Sequence, residues 1–148
     1  MPDSDSVSPL PPALLASQLA ALIGGPYCDT DTAGAVGLAS ESIRYLNHAV
    51  PRGGVTEPAT VSAVAADLSI ASYRLPQLLS ALGAWLTAES AAGRVADDHH
   101  RPPAELAAKV RAAFGDAGAC AAELARALST AHNLSATLHA AGPDGAAA

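Results

Sequence analysis

From Val61 the apolar positions run Val61, Val64, Leu68, Ala71, Leu75, Leu78, Leu82 and Trp85, with spacings that alternate three and four. At 3.6 residues per turn this alternation writes one apolar seam along one side of a helix, and such a seam needs another helix to bury it. The pattern predicts a helix that starts near Thr56-Glu57-Pro58, with Thr56 as its cap, and reaches Ala92, where Gly93 closes it. Pro76 lies inside. Proline removes a backbone donor and collides with the carbonyl four residues back, at a cost of about 3 kcal/mol or a kink. The seam passes through Pro76 in phase and Leu75 is a poor cap, so a kinked continuous helix is expected rather than two helices.

The same period recurs on both sides. Val36, Ala39, Ile43, Leu46 and Val50 predict a helix from about Ala33 to Val50, capped by Asp31 or Thr32 and ended by Pro51 and Gly53-Gly54. A stripe that includes Leu106, Val110, Cys120, Leu124, Leu134 and Leu138 predicts a last helix from about Pro103 to Ala140, roughly 57 Å long at 1.5 Å per residue. Leu15, Leu19, Leu22 and Ile23 mark a short helix over Pro12 to Ile23, stopped by Gly24-Gly25-Pro26. No stretch alternates with period two for long, so no sheet is expected.

Short linkers imply antiparallel neighbours. Folding the two long helices about their linker sets Leu78, Leu79 and Leu82 opposite Phe114, Gly115 and Gly118, large residues against small ones, with Pro76 almost opposite Gly118. Both glycines are expected to serve this packing. The helix over 33–50 covers the first half of the long helix after it, and the N-terminal helix covers what remains. The expected fold is therefore all-α: an antiparallel helical bundle of three main heptad-patterned helices plus a short N-terminal helix. It occupies one domain, residues 12–141, between a disordered N-terminal segment (1–11) and a disordered tail (142–148).

Composition thins this core. Alanine supplies 37 of 148 residues, against one Trp, one Phe and three Tyr, which favours close helix contacts over a bulky interior. The net charge of −6, from eight Lys plus Arg against fourteen Asp plus Glu, argues against a nucleic-acid partner, because such binders replace counterions with a basic face. No uninterrupted apolar run has spanning length, and the N-terminus is acidic where a secretory signal is basic. The two cysteines do not make a disulfide framework. A cytoplasmic location without a membrane partner is expected.

Candidate chemistry is sparse. Asp97-Asp98-His99-His100 has metal-ligand residue types, but adjacent residues rarely all turn to one ion, and the cluster reads as a solvated loop. His132 and His139 share a face two turns apart, about 10 Å; with His48 they suggest a three-His site that nothing else requires. Cys120 falls on the last seam and is expected to be buried; Cys28 has no cationic neighbour in sequence to activate it. Glycine-rich phosphate loops, nucleophile elbows and zinc-protease His-Glu pairs are missing, so no enzyme, cofactor or metal is expected. The residues that suit a binding surface are Arg44, Tyr45, Asn47 and His48, with Tyr73 and Arg74, because Tyr and Arg are enriched at interface hot spots.

Arg44-Tyr45-Leu46-Asn47-His48-Ala49, Arg74-Leu75-Pro76-Gln77-Leu78-Leu79 and on to Trp85-Leu86, and Glu89 to Asp98 with Ala91-Ala92-Gly93-Arg94 together resemble a group of small Ala-rich helical proteins. These are common in Streptomyces and related actinobacteria and are often encoded near mobile-element genes. The resemblance implies an actinobacterial, cytoplasmic setting and carries over no activity, cofactor or site residue. The expected function is that of a non-catalytic adaptor or accessory protein. It acts through a protein partner or through self-association as a homodimer along the last helix. The alternatives are a DNA-associated regulator using Arg44, Arg52 and Arg74, and a His-based metal-dependent enzyme.

Overall fold

The structure, a computed structural model, describes Ala20, Ile23 and residues 25–140. Apart from Ala20 and Ile23, the expected N-terminal helix over 12–23 lies outside the described residues, as do the segments 1–11 and 142–148. The described residues form three long helices, α1 (Asp29–Ala49), α2 (Pro58–Ala91) and α3 (Pro103–Ser135), with a 3-10 turn over Val50–Arg52 and no strand among them. No helix among them is long and apolar enough to cross a membrane. The chain divides into two compact units, Met1–Gly54 and Val55–Ala148.

In the first unit, α1 begins at Asp29, earlier than Asp31 or Thr32 as caps would allow. The cap is Cys28: its sulfur accepts from the Asp31 amide at 3.4 Å, and its thiol donates to Asp31 Oδ2 at 3.0 Å. Asp29 and Asp31 then fall in the first turn, where the helix dipole favours negative charge. At the other end Gly53 takes a left-handed φ of 84°, and Gly54 donates to the Ala49 carbonyl at 2.9 Å. A Cβ on Gly54 would sit 2.9 Å from that carbonyl oxygen, so the close approach requires glycine. No residue of α1 is buried. Its expected seam lies in water, with Val36, Ile43 and Val50 all exposed.

In the second unit, α2 and α3 pack along their length. α2 starts at Pro58 with Glu57, not Thr56, at the cap position. It runs unbroken through Pro76, which leaves the Ser72 carbonyl without its usual helical donor. Its end is a Schellman turn: Gly93, at φ 71°, donates to the Ser90 carbonyl and Arg94 to the Glu89 carbonyl. α3 begins at Pro103, as expected, but stops at Ser135, which shortens it to about 50 Å. Ser135 and Thr137 hydroxyls bond back to the carbonyls of His132 and Leu134, and such local bonds compete with continued helix.

The contacts between α2 and α3 fall at four levels. His132 Nδ1 lies 2.9 Å from Ser62 Oγ, and the Ser69 hydroxyl donates to the Ala125 carbonyl at 2.9 Å. A Cβ on Gly118 would lie 3.4 Å from Pro76 Cα, and one on Gly83 would lie 3.2 Å from Arg111 Cγ. The buried residues at and between these levels are small: Ser62, Ala65, Ser72 and Gly83 on α2, and Ala107, Gly118, Ala121, Ala125 and Ser135 on α3. The stripe is itself spaced three and four: Ser62, Ala65, Ser69, Ser72, Pro76, Leu79, Gly83, Leu86.

The helices therefore do not meet on the seam that hydropathy marks. Leu75, Leu78 and Leu82 remain 40%, 43% and 41% exposed and Trp85 62%. Cys120, expected in the core, is exposed. The physical reason is reach: where the buried positions are as small as Ser, Ala and Gly, two backbones approach until hydroxyls cross to the opposite helix, which a row of leucines would prevent. Of the two glycines expected to serve packing, Gly118 does so against Pro76, while a Cβ on Gly115 would meet nothing within 4 Å.

Candidate interaction surface

A helix that faces its neighbour along one stripe has two flanks, and helical periodicity assigns each residue to one of them. On α2, Val61, Leu68, Leu75 and Leu82 lie beside the pairing stripe on one flank, with Val64, Leu78 and Trp85 next to them. On α3, the residues in the same positions include Val110, Ala117 and Leu124, with Cys120 and Leu134 next to them. In a pair of opposed helices the same flanks adjoin, so both hydropathy seams line one face of the hairpin. Leu124 and Leu134 stand 50% and 69% exposed there.

The other flank is different in kind. A shallow groove of about 370 Å³ lies there, lined by Pro76, Ser80, Arg111, Phe114, Gly115 and Ala122. Apart from Arg111 in the groove, charges keep to the rims. Lys109, Asp116 and Glu123 run along the outside of α3, and α2 carries only Asp67, Arg74 and Glu89. From Val61 to Trp85 the apolar flank of α2 holds no charged side chain. An uncharged, half-exposed apolar strip of this length is the feature that marks a contact surface on a protein.

The residues expected to form a partner surface fall in three places. Arg44, Tyr45, Asn47 and His48 are exposed on α1. Glu41 accepts from Arg44 Nε at 2.7 Å and holds that guanidinium above its usual value. Tyr45 and His48 help to line a cup of about 600 Å³ with Ala49, Arg52, Gly53 and Gly54. Arg52 donates to the His48 carbonyl at 2.9 Å, so it caps the helix end, where a cation opposes the dipole. Tyr73 is exposed on the groove flank of α2, and Arg74 faces away from α3. Neither belongs to the apolar face.

The linker cluster holds its own fold. The Asp97 carboxylate accepts from the backbone N–H of His99 (3.0 Å) and Arg101 (3.1 Å), and from the Arg101 guanidinium at 2.9 and 3.0 Å. The guanidinium bonds, followed by the Arg101 amide, bring its pKa down to about 2. Arg94 grips Glu89 with two hydrogen bonds, at 2.5 and 2.7 Å, which hold that carboxyl below its usual value. His132 faces Ser62, and His139 lies past the end of α3. No group of three or more His, Cys, Asp or Glu among the described residues is placed to hold a metal ion.

Comparison of the chain with protein-family models, with curated proteins and with solved structures gave no match.

Proposed function

We propose that the chain is a non-catalytic adaptor or accessory protein of the cytoplasm, working through protein–protein contacts on an antiparallel, heptad-paired helical hairpin. The observation that carries this reading is the apolar face of the hairpin. Leu75, Leu78, Leu82 and Trp85 stand there in water, as does Leu124 on the other helix, while the buried residues of the intrachain packing are Ala, Ser and Gly alone. Leaving such side chains exposed forgoes about 25 cal/mol for each Å² that a partner would cover. The polar groups that chemistry would need are bound locally, Asp97 to Arg101 and His132 to Ser62. A DNA-associated role needs Arg44, Arg52 and Arg74 free together, yet Arg44 is paired with Glu41 and Arg52 folds onto His48. The mobile-element setting rests on the sequence resemblance alone.

The test is a pair of variants. Leu78→Glu and Trp85→Glu place a charge on the apolar face at positions already exposed; both are expected to abolish binding to whatever partner cross-links to the wild-type chain in its native cells. Unchanged cross-linking by both variants, with helicity intact, overturns the reading.

A further inference from the structure

The seam on α2 is self-complementary. Its spacings, three-four-three-four-three-four-three, read the same in both directions. A two-fold axis perpendicular to α2 at the level of Tyr73 therefore brings every seam position of one copy onto a seam position of another. Val61 meets Trp85, Val64 meets Leu82, Leu68 meets Leu78 and Ala71 meets Leu75. The smallest members, Ala71 and Val61, meet larger ones, as interdigitating layers require.

The stripe on α3 obeys the same axis. The pairs Pro76–Gly118 and Ser69–Ala125 set Tyr73 level with Ala121. The α3 stripe from Val110 to Leu134 is centred on the next residue, Ala122. The two stripes thus have centres one residue apart, about 1.5 Å along the helix, close enough to serve one two-fold axis. The face also carries no charge between Val61 and Trp85 that would select an oppositely charged partner.

The area is adequate. Five exposed large side chains on α2 and two on α3 leave on the order of 700 Å² of this face in water, so a face-to-face pair would remove about 1,400 Å², within the range of about 1,200–2,000 Å² typical of specific interfaces. We propose that the hairpin pairs face to face with a second copy of this chain about this axis, giving an assembly of four helices in which every neighbour is antiparallel. The proposal rests on reading the face as a protein-contact surface and names what covers it.

The experiment is sedimentation equilibrium of the full chain, with emission from Trp85, the sole tryptophan, read over the same concentrations. A monomer–dimer equilibrium is expected, with emission moving to the blue as dimer forms. Leu75→Glu, beside the axis, should raise the dissociation constant at least tenfold, whereas Ala84→Glu, on the groove flank, should leave it unchanged. Should Leu75→Glu fail to fold, a second variant decides: Val61→Cys with Trp85→Cys, in a chain with Cys28→Ser and Cys120→Ser. Within one copy those positions are about 36 Å apart along the helix, so a 61–85 disulfide can only join two copies, and it should dominate the mapped cross-links after mild oxidation. A dimer without that cross-link overturns the proposal. So does a monomer at every concentration, and Trp85 then separates two cases. Emission typical of water leaves the face open and the protein-contact reading standing with another partner. Blue emission means that the chain's own segments close the face, and that reading falls too.

Discussion

Gly118 rests against Pro76: a Cβ on the glycine would stand 3.4 Å from the proline Cα. The proline inside α2, which cannot donate there, thus faces a position on α3 where the backbone itself is the surface. Ala at this site is at ordinary contact distance, but a longer side chain has nowhere to go. Gly118→Leu is expected to destabilise the hairpin by about 1–3 kcal/mol through overpacking. Gly115→Ala, with open space around it, is expected to stabilise it by about 0.5–1 kcal/mol through helix propensity. Urea denaturation of the two variants checks both signs. Equal effects would mean that the glycines do not differ in packing.

The Ser69 hydroxyl crosses the interface to the Ala125 carbonyl. Ser69→Ala keeps the small volume and loses one hydrogen bond, an expected cost of about 1 kcal/mol. Ser69→Val loses the same bond and pushes two methyl groups toward the α3 backbone, so its midpoint in urea should fall further. If valine proves the milder change, the helices are not held at hydroxyl range.

These two sites show what the sequence made legible. Three-four periodicity located α2 and α3, their starts at Pro58 and Pro103, the stop at Gly93, and the level of Pro76 opposite Gly118. It did not identify the pairing stripe. Ser62, Ala65, Ser69 and Ser72 repeat as regularly as Val61, Val64, Leu68 and Ala71, but a small residue contributes by letting backbones approach, and hydropathy gives that no weight. The cap at Cys28 was hidden for a similar reason, since sulfur is a weak acceptor and Asp31 is the usual choice. The same blindness explains why Leu75, Leu78 and Trp85 read as core in the sequence, although all three are exposed.

Asp97 organises the α2–α3 linker, and its pH dependence has a definite direction. Its folded pKa, about 2, lies below the value of about 3.9 for an unfolded aspartate. Ionised Asp97 thus favours the folded loop fully above pH ~4, and this contribution is lost as pH falls toward 2. Asp97→Asn should melt lower than the wild type at pH 6, with the difference shrinking steadily between pH 4 and pH 2. A difference independent of pH would mean that the carboxylate charge is not what Arg101 and the two amides hold.

Burial also separates α1 from the hairpin in its expected dynamics. α1 has no buried residue and carries Gly34 and Gly37 in its first half, whereas Ser72, Ala107, Ala121 and Ala125 lie in the seam of the hairpin. An amphipathic helix derives most of its stability from packing of its apolar face rather than from propensity, so amides of α1 should open by local fraying. Those at the seam should open only when α2 and α3 separate. Native-state hydrogen exchange should therefore find α1 amides exchanging at least tenfold faster than those of Ser72 and Ala121. Gly34→Ala with Gly37→Ala should slow exchange in α1 and leave the seam unchanged, because a Cβ at either glycine meets nothing within 4 Å. Protection of α1 equal to that of the seam in the wild-type chain would refute the assignment of its apolar stripe to water.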